Sequence, residues 1–183
     1  MHLPGFDIIK TYPYNAAVFE SEATSERLTV ILANRLPLEE QTGTDLIYFN
    51  ETFQSFVMVQ YKAMEREDGA DGVAQAVFRL PNAQLTEEIA RMDALLAAIK
   101  ACPANDSHDG FRLIENPFFL RLCPMLIFNP DDIGLVPGTY LPLDYWKLLE
   151  QHPGIKGPRG GLRITYDNVG RHFDNSSFTS IVA

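Results

Sequence analysis

The sequence predicts an α/β fold, a mixed β-sheet flanked by helices, and three observations carry that prediction. Two β-rich runs, Thr44–Phe49 and Ser55–Met64, flank the short polar break Asn50–Gln54 and read as a hairpin. Leu85–Ala101 repeats its apolar residues at helical spacing. Phe118–Phe128 is an apolar run of the length of a covered strand.

Taken in order, the chain predicts a first helix over Thr24–Leu36, with Ser25 as N-cap and Leu28, Val30, Ile31, Leu32 and Leu36 as its apolar stripe. Pro37 is expected to stop it. The hairpin follows, and then a Gly/Asp-rich loop over Glu67–Gly72; the acidic stretch Glu65, Glu67, Asp68 and Asp71 is assigned to loop. The second helix takes Thr86 as N-cap, and Glu87 and Glu88 suit the positive end of its dipole. Ile89, Met92, Leu95, Leu96 and Ile99 mark its buried face. In the run Phe118–Phe128, Pro124 predicts a bulge or an edge position. Leu141–Gln151 reads as a short helix around Trp146, and the remainder, through Gly157-Pro158-Arg159-Gly160-Gly161, as loop and a short strand. Ser176–Ala183 begins like a capped element and ends on apolar residues, which is the expectation for a domain cut from a longer protein. With no repeat and no low-complexity linker, the expectation is one domain over 1–183, its core at about residues 20–130 and a C-terminal extension over 131–183.

Composition narrows the function classes. The chain has 183 residues, 46% of them hydrophobic, enough for a substantial core. No apolar run approaches the roughly 20 residues that span a bilayer, and Met1–Asp7 has neither a basic nor an apolar leader region. Two cysteines, Cys102 and Cys123, make no disulfide framework. These features predict a cytoplasmic protein away from membranes. The net charge of −9 argues against tight, sequence-independent binding to nucleic acid, yet a site that recruits divalent cations is itself built from carboxylates. Charge is also uneven: between Pro153 and Arg171, Lys156, Arg159, Arg163 and Arg171 face only Asp167. Arg159 and Arg163 are the expected phosphate contacts there.

The hairpin carries the chemistry. With Asn50 opposite Ser55, Asp45 falls opposite Gln60, and Met58, Gln60 and Lys62 share one face of their strand. Directly opposed residues lie about 5 Å apart at Cβ, so Asp45, Gln60 and Lys62 converge while Val57, Val59 and Tyr61 point the other way, toward a helix layer. A carboxylate and an amide oxygen suit a hard divalent cation, and a lysine beside them suits charge developing on a phosphate or the orientation of a water.

These residues resemble a known group. Gly43-Thr44-Asp45-Leu46, a turn, and Phe56-Val57-Met58-Val59-Gln60-Tyr61-Lys62 are similar to the G-x-D…V-Q-x-K signature of Mrr-like restriction endonucleases, in the PD-(D/E)XK superfamily. The resemblance implies a restriction-endonuclease-like sheet with an αβββαβ core, magnesium or manganese as cofactor, and hydrolysis of phosphodiester bonds in DNA above RNA. Asp45 and Gln60 would be the metal ligands and Lys62 the catalytic cation. It also implies a glutamate in the first helix. Glu26 is the choice for it, with Glu20, Glu22, Glu39 and Glu40 as alternatives, although the helix dipole alone accounts for a Glu in a first turn. By analogy such domains act as homodimers, or as effectors beside a fused or associated sensor or ATPase, in restriction or antiviral defence.

Plainer readings compete. Asp45 suits a turn and Gln60 and Lys62 suit a solvated strand face. Against that, Phe56–Val59 is apolar on both faces, so a Gln and a Lys beside it need a polar pocket. His172-Phe173-Asp174 and His108-Asp109 lack a third ligand at metal spacing and read as surface. Both cysteines read as packed thiols, Gly157–Gly161 as a flexible turn and Arg79 as unassigned. The alternative function is a nuclease-fold module without catalysis, acting as an acidic protein-interaction domain.

Overall fold

The structure, a computed structural model, describes residues 6–13, 15–33, 37–68, 73–102, 108, 111–125, 137–157 and 160–183. Its elements run β1 (Phe6–Tyr12), β2 (Ala16–Ser21), β3 (Arg27–Leu32), α1 (Pro37–Thr42), β4 (Leu46–Asn50), β5 (Ser55–Asp68), β6 (Ala74–Leu80) and α2 (Ala83–Ala101). Then follow β7 (Phe118–Pro124), β8 (Thr139–Pro142), α3 (Leu143–Leu149), β9 (Leu162–Thr165) and α4 (Asn175–Val182). The α/β class is as expected, and the nine-stranded sheet is mostly antiparallel, in the order β1-β2-β3-β4-β5-β6-β9. β7 joins β5 in parallel and carries β8 on its other side.

The expected first helix is a strand. Leu28 and Val30 are buried while Thr29 and Ile31 are less so, a period of two, and β3 pairs antiparallel with both β2 and β4. The β-branched trio Thr29-Val30-Ile31 favours a pleated chain over a helix, where χ1 would be restricted. Ser25 caps nothing: it sits in the β2–β3 turn at φ 58°. Residues 34–36 of that expected helix lie outside the described residues. Pro37, read as a stop, opens α1 instead, where its missing N–H costs nothing.

The β4–β5 hairpin has the expected register, Asn50↔Ser55 through Leu46↔Val59. Asn50 closes it, its Oδ1 accepting from Thr52 N at 2.9 Å and Phe53 N at 3.0 Å. β5 runs on to Asp68, so Glu65, Glu67 and Asp68 lie in strand, not loop, paired with β6; Asp71 is outside the described residues. α2 is capped by Asn82, whose side chain accepts from Leu85 N at 2.9 Å, and not by Thr86, which lies inside the helix. Pro124 ends β7 and breaks no ladder within it; residues 126–128 of the expected strand are outside the described ones. The helix around Trp146 is shorter than expected, and β8 occupies its first residues.

Both faces of β5 are covered. On one, Met58 and Met64 pack with Leu85, Met92 and Leu96 of α2 and with Trp146 of α3, whose ring meets Phe78 edge-on at 5.9 Å. On the other, Val57 and Val59 pack with Leu28, Tyr48, Phe119 and Phe178 of α4. Tyr140 stacks on Phe178 at 3.8 Å, and Asn50 Nδ2 donates to Val182 O at 3.3 Å, tying the C-terminal helix to the hairpin. The residues from Thr139 onward thus share the central sheet and its cores. Among the described residues no helix is long and apolar enough to cross a membrane.

Candidate metal and phosphodiester site

β5 is laddered to β4 as far as Val59 and to β6 from Glu65, so between Gln60 and Met64 it pairs with β7 alone. A cleft of about 600 Å³ opens at that stretch, lined by Asp45, Gln60, Lys62, Glu39, Asn82 and Gln84 among others. Asp45, Gln60 and Lys62 are therefore brought together, as the hairpin register requires.

Each side chain has a structural reason for its place. Asp45 sits one residue before β4; its backbone N–H goes to Val59 O at 2.9 Å, and its Oδ2 accepts the Tyr61 N–H at 2.8 Å. Gly43 makes the preceding turn at φ +69°, and a Cβ there would lie 2.5 Å from Glu88 O of α2. Only glycine permits that approach. Thr42 and Thr44 close the turn through a 2.8 Å hydroxyl contact.

Burial raises the Asp45 carboxyl above the usual range; the Tyr61 N–H opposes this, Glu39 adds to it, Lys62 opposes it and Glu88 adds to it. Gln60 is 2% exposed. Its Nε2 donates a long bond of 3.4 Å to Tyr61 O, while Oε1 has no hydrogen-bond partner among the described residues. A buried amide oxygen left so costs on the order of 1–3 kcal/mol. Lys62 is buried and its Nζ lies 2.9 Å from Glu88 Oε1 and 2.6 Å from Oε2. Gln84 Nε2 donates to the same Oε1 at 2.9 Å.

Asp45 and Glu39 line the cleft with Lys62, whose ammonium is paired with Glu88 behind it. Cys123 also lines the cleft, but burial pushes its thiol up, away from the thiolate a metal takes. Among the described residues no three His, Cys, Asp or Glu side chains form a ligand group.

Other expected residues are elsewhere. Glu26 lies in the β2–β3 turn, where it accepts from Thr24 Oγ1 at 2.7 Å. It is beyond the Arg27 end of β3, while Asp45 adjoins the Leu32 end, roughly 20 Å of strand away. Glu39, an alternative from the start, is the glutamate in the cleft. Arg163 is on β9 opposite Arg79, which pairs with Glu67; Arg159 is outside the described residues. His172 bonds Gly170 O, and Asp174 caps α4 through Ser177 N, a bond that lowers its pKa.

Two residues escaped the sequence reading. Glu88 was assigned to the helix dipole, yet it falls on the stripe Leu85-Glu88-Met92-Leu96; an acid in the middle of a buried stripe is itself a sign of a buried cation. Arg121, buried on β7, sits between the Tyr61 and Tyr140 rings at 4.8 and 5.0 Å, with Nη2 donating to Asn175 Oδ1 at 3.2 Å. Nothing in its apolar strand distinguished it.

The chain matches no protein-family model, no curated protein and no solved structure.

Proposed function

We propose that this chain is a metal-dependent nuclease of the PD-(D/E)XK kind, Mrr-like in its motif, that hydrolyses phosphodiester bonds in DNA above RNA. The observation that carries the reading is the buried Gln60 Oε1, without a hydrogen-bond partner among the described residues, in a cleft it shares with Asp45 and Lys62. An acceptor oxygen kept dry beside a carboxylate is what a hard cation would satisfy. Strands β3, β4 and β5 precede α2 and β7, with α1 between β3 and β4 and β6 between β5 and α2, and the parallel pairing of β7 with β5 supports a restriction-endonuclease-like core.

Asp45 and Gln60 Oε1 would hold magnesium or manganese, with Glu39 on the rim as the further acid. Such an ion, when bound, polarises a phosphoryl oxygen and acidifies a bound water. Tyr61 N–H fixes the Asp45 carboxylate, leaving its other oxygen for the ion. The Lys62 ammonium would offset charge gathering on the phosphate in the cleft. Arg163 and Arg159 belong to the proposal as phosphate contacts, as do a homodimer, a partner sensor or ATPase module, and a cytoplasmic role in restriction or antiviral defence.

The second reading, an inactive acidic interaction module, draws on the net charge of −9 and on the commitment of Lys62 to Glu88. Purified protein incubated with supercoiled plasmid and magnesium or manganese separates the two. Nicking or linearisation abolished by EDTA and by Asp45→Ala, and strongly slowed by Lys62→Ala, is the expected result. Cleavage unchanged in Lys62→Ala rejects the catalytic assignment, and no cleavage of DNA or RNA under any of these conditions favours the interaction module.

A further inference from the structure

We propose that Glu88 is the positioning residue of this site: it fixes the Lys62 ammonium and, through its backbone, the distance from that ammonium to Asp45. The inference rests on the nuclease reading for its effect on rate. A lysine side chain is a flexible stem with a mobile charge, and a mobile charge stabilises a transition state poorly. Here the charge is held from both sides of one carboxylate, at 2.9 and 2.6 Å, with Lys62 Nζ and the carboxylate both buried. Gln84 in turn holds Glu88 Oε1 at 2.9 Å.

The same residue touches the other half of the site. Glu88 O lies so close to Gly43 that a Cβ there would stand 2.5 Å away, and Gly43 begins the turn that delivers Asp45. One turn of α2 thus contacts the lysine through its carboxylate and the Asp45 turn through its carbonyl. Glu88 is 1% exposed and sits behind Lys62, out of reach of a substrate in the cleft. An ammonium has three donors; the one given to Glu88 Oε1 leaves others for the phosphate.

A residue acting this way affects the transition state and leaves ground-state binding alone. The test is a double-mutant cycle on the full chain with magnesium and plasmid: wild type, Glu88→Gln, Lys62→Ala and the double variant, each checked for folding by circular dichroism. In parallel, without DNA or metal, lysine acylation by a succinimidyl acetate reagent is followed by mass spectrometry. Displacing the ammonium by about 1 Å predicts a kcat loss of about 10- to 100-fold in Glu88→Gln at unchanged KM. The double variant should cut no more slowly than Lys62→Ala, Lys62 acylation should rise in Glu88→Gln, and Glu88→Asp should recover part of the rate. Should Glu88→Gln not fold, Gln84→Ala at an exposed position takes its place, with an expected loss of about threefold from one hydrogen bond. Effects that multiply across the cycle, or a folded Glu88→Gln that cuts and acylates like wild type, overturn the proposal. A wild type that cuts nothing while acylation of Lys62 still rises in Glu88→Gln removes the nuclease reading and upholds the Glu88–Lys62 fixture.

Discussion

Tyr61 donates its backbone N–H to Asp45 Oδ2 at 2.8 Å, at the point where the β4–β5 ladder has ended. A side chain takes the place of the next backbone partner, and the carboxylate is thereby held against β5 beside Gln60 and Lys62. The cost of holding it there is burial, which raises its pKa.

That cost has a sign. A carboxyl whose folded pKa exceeds its unfolded value favours the protonated fold, so its penalty is absent below the unfolded pKa and complete above the folded one. Asp45→Asn, which keeps an acceptor for Tyr61 N–H, should stabilise the protein at pH 7, read as a higher Tm. The advantage should shrink as pH falls through the raised pKa of Asp45, and thermal melts across that range check it. Cleavage should be lost in the same variant.

Gln60→Met should behave in a related way. Removing an acceptor without a hydrogen-bond partner among the described residues should stabilise the metal-free protein by about 1 kcal/mol. In wild type, manganese at a hundredfold excess over its Kd should add about 2.7 kcal/mol, a Tm rise of roughly 5–10 °C. Thermal shift with and without manganese should show that gain in wild type and little of it in Gln60→Met; an equal gain in both removes Gln60 from the ligand set.

The Lys62–Glu88 pair predicts an asymmetric pattern. Lys62→Met alone leaves a buried carboxylate unpaired and should cost about 3 kcal/mol, read as a lower urea midpoint. Lys62→Met with Glu88→Leu should return to near wild-type stability, because an apolar pair of similar volume avoids both desolvation costs. A double variant as unstable as the single one contradicts this account.

Gly43→Ala meets two obstacles at once, a positive φ and the Glu88 carbonyl. The expected loss is about 2 kcal/mol or more, measured by denaturant unfolding.

Much of the site was legible because a hairpin is local. Asn50 and Ser55 fix the register, and alternation then places Asp45, Gln60 and Lys62 on one face without knowledge of the rest of the chain. The α2 face was legible for the same reason, through its spacing. What was not legible depends on distant partners. Leu28-Thr29-Val30-Ile31-Leu32 satisfies both periodicities, and the pairing with β2 and β4 decides it as strand. With that segment a strand, Glu26 falls in the β2–β3 turn, and of the alternative glutamates it is Glu39 that the fold carries to the cleft. Glu88 needed the α2–β5 contact to be seen as anything but a helix-end acid.

Val57, Met58 and Val59 are packed above and below, so the strand that bears Gln60 and Lys62 has no room to give. For a site of the proposed kind this separates two heritable traits. Changes in the strand would disturb the reaction itself, whereas the border of the opening on α1 and α2 lies outside that packed layer. Selection for a new substrate would act on that border, and a library randomised there, with β5, Glu39, Asn82 and Gln84 left intact, is the one from which altered preference should emerge.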